Sequence, residues 1–288
     1  MSTVIDSRSS RRIRPSLTRL GMAVVALMIG LMFASPLILV IISSLKPPGE
    51  ASAVPPTYLP QHLSFENFTS LNIAGAGIWQ YLLNSVQVTV GTIVLTVILA
   101  TLAAYGFSRW PFPGSNLLFV VILTAIMVPF QILLTPLFVV ARFLHVDNSL
   151  VGLVLIYTTF QLPFSLFVMR NSFDAIPDEL FEAAEVDGAS EFQSLRAMLP
   201  LVRPGLATVV LFAFFAAWNE FIGALILLSD QEKFTLPIML TTLMIGQHGA
   251  INWGLLEAGV VLTIVPSIVI FLTLQRAFVT GLTAGSGR

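Results

Sequence analysis

Long runs of apolar residues dominate this chain of 288 residues, and they constrain what it can fold into. A helix needs about 20 apolar residues to cross roughly 30 Å of hydrocarbon. Six runs reach this length, at 20–43, 81–107, 117–141, 150–169, 204–228 and 256–279. The composition agrees, because 56% of the residues are hydrophobic, only 10% are charged and the mean hydropathy is +0.90. We therefore predict an all-α, polytopic membrane protein with six transmembrane helices.

Positive charges are distributed unevenly between the two sides of such a six-span arrangement. Eleven arginines fall on one side: Arg8, Arg11, Arg12, Arg14, Arg19, Arg109, Arg170, Arg196, Arg203, Arg276 and Arg288. Three basic residues fall on the other: Lys46, Arg142 and Lys233. Because cytoplasmic loops carry the excess of Lys and Arg, we expect the segments 1–19, 171–203 and 281–288 to face the cytoplasm, with residues 20–280 forming the membrane domain.

The same composition argues against several classes of function. A net charge of −1 gives no basic face for a nucleic-acid partner. There is no cysteine, and the three histidines are scattered over loops without metal-ligand spacing. The chain also lacks the phosphate-binding pattern G-x-x-x-x-G-K-[ST]. We expect no enzymatic reaction and no cofactor or metal on this chain, so that energy from ATP would come from another subunit.

One charged stretch interrupts the apolar runs and reads DELFEAAEVDGASEFQSLRAMLPLVRP over 178–204. Pro177 followed by acidic residues is typical of a helix start, because carboxylates meet the positive end of the helix dipole. Gly188 is typical of a helix end, and residues 189–199 can form a second helix before Pro200. The pattern predicts a helix, a turn and a helix, with a small apolar face on the first helix.

At these residues the chain resembles the permease subunits of bacterial ABC importers. Their signature is Glu-Ala-Ala, three residues, Gly and, after a spacer, Leu-Pro, and it matches Glu182-Ala183-Ala184, Gly188 and Leu199-Pro200 here, with the spacer one residue shorter than usual. The resemblance implies that the first helix seats on an ATPase subunit and couples it to the membrane helices. The residues it assigns to this role are Glu182, Ala183, Ala184, Asp187 and Gly188.

The resemblance covers nearly everything after about residue 80 and is strongest to the carbohydrate-import, maltose-type (MalG-like) branch. Its further matches are Asn84-Ser85, the 109–114 connector, Met127-Val128-Pro129, Ile176-Pro177, Trp218 to Phe221 and the 281–285 end. It implies a type I ABC importer permease fold in a bacterial inner membrane. The implied partners are a second permease, two ATP-binding cassette subunits that hold ATP and Mg, and an extracytoplasmic sugar-binding protein.

Polar residues within the spans are candidates for the solute pathway, namely Asn84, Trp218, Asn219 and Glu220. A carboxylate at membrane depth costs about 2.5 to 3.5 kcal/mol, so it should face a cavity, a partner or the bundle interior. Asn219 and Glu220 can therefore line a sugar path, or they can form hydrogen bonds between helices or across a subunit interface. The sequence leaves both alternatives open.

The segment 229–255 lies on the predicted outer side, and the matching loop of the family reaches into the binding protein. The resemblance makes Gln247, Gly249 and Asn252 the candidate contacts, and the alternative is a connector that only packs on the bundle. Two other functions also remain open for the whole chain. They are an ABC importer permease for a non-sugar solute and, less favoured because we see no inverted repeat, a secondary transporter.

Overall fold

The computed structural model describes residues 17–73, 76–245 and 251–284, and within them it contains helices and no strand. The helices, in chain order, are α1 (Leu17–Ser44), α2 (Glu66–Ser70), α3 (Ile78–Arg109), α4 (Ser115–Thr124), α5 (Phe130–Phe143), α6 (Leu150–Asp174), α7 (Asp178–Val186), α8 (Glu191–Met198), α9 (Arg203–Trp218), α10 (Ile222–Leu227), α11 (Leu236–Ile245) and α12 (Trp253–Ala284). Short 3-10 turns lie at Glu50–Ser52, Leu71–Ile73, Ala125–Met127 and Gln231–Lys233. The predicted all-α class is confirmed.

Four of these helices, α1, α3, α6 and α12, are long and apolar enough to cross a bilayer without a break. Helices α3, α6 and α9 pack on one another, and α12 packs on α9. Helix α1 packs on α12, and none of its most apolar window is buried. A helix that is apolar all round and exposed along its length is suited to contact with lipid or with another membrane helix.

The third predicted span, 117–141, is wrong as a single helix. Helices α4 and α5 meet there at an angle of 103°. Pro129 lies between them, where it has extended backbone and precedes α5. The cause is local, because proline has no backbone N–H to donate and disfavours helical conformation in the residue before it.

The fifth predicted span, 204–228, is also wrong as a continuous helix. Helix α9 ends at Trp218, and α10 begins at Ile222. Asn219, Glu220 and Phe221 form the break between the two helices. Helix α9 has only 16 residues, so the apolar run 204–228 is divided between α9 and α10.

The predicted outer segment 229–255 contains a helix, α11, that the sequence analysis did not anticipate. Leu236, Ile238 and Met239 at its start are each 1% exposed. Helix α11 packs on α3 and α12. We call residues 228–245 the far segment, because they lie at the end of the bundle opposite to α7 and α8.

The two ends of the bundle differ in their charged residues. We call the end that carries α7, α8 and the C-terminal ends of α3 and α6 the loop end. Arg109 and Arg170 lie there, paired with Asp178 and Asp174. Lys233 at the far end pairs with Asp230. The two arginines and the lysine of these pairs thus lie at opposite ends of the bundle.

Gly152 offers a test of the packing at the far end of α6. A Cβ atom at this position would overlap the backbone carbonyl of Val146, whereas a Cβ atom at Gly106 in α3 would meet nothing within 4 Å. We expect Gly152→Ala to lower the free energy of unfolding by about 1 to 3 kcal/mol through overpacking. Thermal unfolding of the purified protein in detergent measures this change. Gly106→Ala is the matched control and should unfold at the original temperature or slightly above it.

Candidate functional site

The segment from Pro177 to Leu199 folds as the predicted helix, turn and helix. Pro177 precedes α7, and Asp178 and Glu179 lie in its first turn. Gly188 has a φ of +75°, the left-handed conformation that glycine adopts without strain. Ser190 and Gln193 form a reciprocal capping box at the start of α8. Each helix end therefore has a local cause in the sequence.

Helix α7 has one exposed face and one buried residue. Glu182, Ala183, Asp187 and Gly188 are exposed and Ala184 is half-buried, so the residues predicted to contact an ATPase are accessible on this chain. Phe181 is only 3% exposed and turns to the opposite side. The exposed surface of α7 thus carries acidic and small residues together with two larger apolar side chains, Leu180 and Val186. One buried aromatic side chain packs the helix against the bundle.

Phe181 lies against the end of α3. The guanidinium carbon of Arg109 lies 4.1 Å from the centre of the Phe181 ring, and the same guanidinium is 3.6 Å from the Asp178 carboxylate. The Tyr105 ring lies 6.3 Å from the Phe181 ring, centre to centre. The contacts of the Arg109 guanidinium and the Tyr105 ring with Phe181 hold the position of α7 relative to α3.

Tyr105 also holds α8. Its hydroxyl donates a hydrogen bond of 3.0 Å to Oε2 of Glu191, the first residue of that helix. Its ring meets Phe173 of α6 edge-on at 5.6 Å. We call Tyr105, Arg109, Asp178, Phe181 and Glu191 the loop joint. No motif in the sequence predicts these contacts, and their only signal is a lone aromatic residue among the acidic and alanine residues of α7.

Glu220 lies in the break between α9 and α10 and is surrounded by donors from its own chain. Its carboxylate accepts hydrogen bonds from the Tyr157 hydroxyl of α6 and from the backbone N–H groups of Gly223 and Ala224, at 2.8 and 3.0 Å for the two N–H groups. These contacts match the alternative in which Glu220 bonds between helices. They also explain the break, because the carboxylate caps the first turn of α10.

The neighbours of Glu220 lie in two different environments. Asn219 is exposed, and its amide donates to the carbonyl of Phe215. Trp218 is 3% exposed, stacks on Phe214 at 5.6 Å and donates its indole N–H to the Thr263 carbonyl of α12 at 2.9 Å. In this conformation the Trp218 ring is therefore not accessible to a solute, whereas Asn219 is.

Asn84 lies at the opposite end of α3 from the loop joint and is 2% exposed. Its side-chain amide donates to the backbone carbonyls of Glu232 and Phe234 at 2.7 and 2.9 Å. The neighbouring Ser85 hydroxyl accepts from the N–H of Leu236 at 2.8 Å. We call Asn84 and Ser85 with residues 232–236 the far joint. In the far joint, side chains of α3 provide hydrogen-bond partners for backbone groups of the far segment.

A second set of bonds holds the far segment to the turn before α6. Asn148 has a φ of +49°, and its side-chain oxygen Oδ1 accepts from the N–H groups of Ser229 and Asp230. Its amide donates to the Asp230 carboxylate. The hydrogen bond from Lys233 and then that from Asn148 lower the pKa of the Asp230 carboxyl, because both donors stabilise its ionised form.

A polar cavity of about 430 Å³ opens beside these bonds. Its lining residues are Gln80, Asn84, Gln87, Asn148, Ser149, Leu150, Val151, Glu232 and Lys233. Of the predicted binding-protein contacts, Gln247 and Gly249 lie outside the described residues. Asn252 is exposed, and its side chain accepts from the N–H of Leu255, so it caps the start of α12.

The chain from residue 93 to 283 matches the family model described as "Binding-protein-dependent transport system inner membrane component". This match covers more than half of the chain. The protein belongs to this permease family. The resemblance inferred from the loop motif is confirmed, and the permease is an inner membrane component.

Two relatives show how far the similarity extends. The permease is 34% identical over 254 residues to the diacetylchitobiose uptake system permease protein NgcG of Streptomyces coelicolor, covering 88% of this chain and 83% of that one. It is 33% identical over 273 residues to the arabinooligosaccharides transport system permease protein AraQ of Bacillus subtilis, covering 94% and 96%. The similarity to each relative therefore extends over most of this chain and most of the relative.

The fold is similar to that of a chain in the crystal structure of a bacterial ABC transporter involved in the import of the acidic polysaccharide alginate. The TM-score is 0.79 at 23% identity, covering 96% of this chain and all of that one. The predicted type I importer permease fold is confirmed, with the broken third and fifth spans described above.

The far joint predicts a local effect of replacing Asn84. Asn84→Ala leaves two half-buried carbonyls without their donors, at a cost of about 1 to 3 kcal/mol. We expect residues 230–236 to exchange their amide hydrogens roughly tenfold faster or more, because this segment would open more often. Hydrogen exchange followed by peptide mass analysis measures the rate. Gln87→Ala, an exposed amide on the same helix, is the control, and an unchanged rate in Asn84→Ala would contradict the role of the joint.

Proposed function

We propose that this permease forms half of the translocation pathway of an ATP-driven importer for oligosaccharides or related carbohydrates. The observation that carries this proposal is the exposed Glu182 to Gly188 surface on a helix fixed to the bundle. The class of solute is supported by the relatives, whose names specify diacetylchitobiose, arabinooligosaccharides and alpha-glucosides. The permease itself makes and breaks no covalent bond.

The proposed partners follow from the family and the loop. They are a second permease, two ATP-binding cassette subunits that hold ATP and Mg, and an extracytoplasmic sugar-binding protein. The family is named for its dependence on binding proteins, and a structure of the alginate transporter is described in complex with a periplasmic protein. Both termini and the α7–α8 loop face the cytoplasm in this proposal, because the loop end carries Arg109, Arg170, Arg196 and Arg203.

The loop can act as a coupling element for a physical reason. Helix α7 offers small side chains at Ala183 and Ala184, so that a partner backbone can approach closely, and carboxylates at Glu182 and Asp187 for polar contacts. Closure of the ATPase pair would displace this helix. Because the loop joint holds α7 and α8 to α3, the displacement would move the spans and expose the solute path to each side in turn.

The contact of this permease with the solute is proposed at Asn219. Its side chain is exposed beside the break between α9 and α10, so an amide group is available there to a solute. Asn84, Trp218 and Glu220 would contribute by holding the surrounding helices, since their polar groups already have partners within the chain.

Uptake by the reconstituted complex tests the solute class. We expect uptake of a labelled oligosaccharide that requires ATP and the binding protein, and no uptake of labelled amino acids or phosphate by the same vesicles. ATP-dependent uptake of a non-sugar solute alone would replace the sugar assignment. Uptake without any ATPase subunit would instead indicate a secondary transporter and reject the importer model.

Gly188 provides a test of the loop itself. A β-branched residue at a φ of +75° is strained by about 1 to 2 kcal/mol, so Gly188→Val should distort the end of α7 and abolish most uptake. Membrane insertion, measured by the yield of the purified complex, should not change. Gly188→Asn is the matched control, because asparagine tolerates the left-handed conformation, and it should retain more uptake than the valine variant. Normal uptake by Gly188→Val would count against the coupling role.

A further inference from the structure

We propose that α3 is the rigid element that carries movement of the α7–α8 loop to the far segment, so that the ATPase side and the binding-protein side are linked through one helix. This inference rests on the proposed function and adds to it a specific path through this chain. It depends on three observations: a joint at each end of α3, the continuity of the helix between them, and the scarcity of polar bonds along the way.

The loop joint attaches both helices of the loop to α3. Helices α7 and α8 are connected along the chain to α6 and α9, and not to α3. The attachment to α3 is made by side chains instead, through the Arg109 contacts with Asp178 and Phe181 and the Tyr105 hydrogen bond to Glu191. A displacement of the loop must therefore either break these contacts or displace the C-terminal end of α3 as well.

The far joint attaches α3 to the far segment by backbone bonds. Asn84 and Ser85 together make three hydrogen bonds to residues 232, 234 and 236. The side chain of Asn84 and the far-segment backbone are buried or half-buried there. Breaking these bonds would therefore leave polar groups that water cannot readily reach as a replacement partner. The far segment is thus fixed to α3 at the end opposite to the loop.

Helix α3 is continuous between the two joints. It has 32 residues without an internal proline, whereas the other three long helices contain Pro36, Pro163 and Pro266. Helices kink chiefly at proline, so α3 is the long helix of the described chain best suited to move as one body. At about 1.5 Å per residue, Asn84 and Tyr105 lie roughly 32 Å apart.

The specific polar contacts of α3 are concentrated at its ends. The buried hydroxyls of Thr89, Thr92 and Thr96 have no hydrogen-bond partner among the described residues. The buried positions that continue toward the loop end are Ala100 and Ala104, each 0% exposed. The middle of α3 is therefore held to its neighbours by packing without directional bonds, whereas hydrogen bonds and an ion pair hold it at the two joints.

The test uses the complete complex of this permease with its partner permease, ATPase subunits and binding protein. The permease has no cysteine, so Gln231→Cys can carry a single nitroxide label in the exposed turn of the far segment, with any cysteines of the partners replaced. We expect ATP with Mg to change the spin-label spectrum in the otherwise unaltered complex. Tyr105→Phe, which removes only the hydroxyl bonded to Glu191, should reduce that change and lower uptake about fivefold or more.

Two matched variants separate coupling from a general loss of structure. Tyr81→Phe removes a hydroxyl from the same helix, where it accepts from Ala76 N–H outside both joints, and should leave the spectrum and uptake unchanged. Glu191→Gln retains an oxygen that accepts from Tyr105, so it should keep most of the response that Glu191→Leu loses. The ATPase rate without binding protein should stay the same in Tyr81→Phe, the variant outside both joints.

A double-mutant cycle tests whether the joints act in series. If α3 links them, Tyr105→Phe combined with Asn84→Ala should transport about as well as the worse single variant, because either break interrupts the same path. Multiplying defects, or a full ATP response at position 231 in Tyr105→Phe, would overturn the inference. Both outcomes assume ATP-dependent uptake by the unaltered complex, and its absence would reject the proposed function instead.

Discussion

The contact of Phe181 with Tyr105 and Arg109 is the interaction on which the arrangement of the loop depends. Helix α7 has only nine residues, and an isolated helix of that length is not stable in water. Its other face is exposed, so Phe181 is its one buried side chain. Without this aromatic contact, the surface from Glu182 to Gly188 would have no fixed position relative to the membrane helices, and a partner that contacts it would have nothing rigid to move.

The same principle applies at the far end, where hydrogen bonds take the place of aromatic packing. The far segment is irregular from residue 228 to the start of α11 and must satisfy its backbone groups without a continuous helix. Asn84, Ser85 and Asn148 supply the partners. Polar side chains at the start of α3 and just before α6 thus hold the far segment.

Helix breaks in this permease occur where the chain can satisfy the groups that a break exposes. A carboxylate at the depth of Glu220 is costly unless it has donors, and here it receives the Tyr157 hydroxyl and two backbone N–H groups of α10. At Pro129 the break follows from the missing N–H of proline itself. The break at Pro129 is therefore encoded locally, whereas the break at Glu220 combines a local cap of α10 with a tertiary contact to α6.

The sequence by itself determined the membrane class, the family and the helix, turn and helix of the loop, because hydropathy, residue spacing and caps such as Pro177, Gly188 and Ser190 are local properties of the chain. Only the tertiary structure decided how these parts are joined. Tyr105 and Glu191 are 86 positions apart, and Asn84 and Phe234 are 150 apart. Nothing in the local pattern of either residue specifies its partner, since such pairs form only when helices distant in the chain pack side by side.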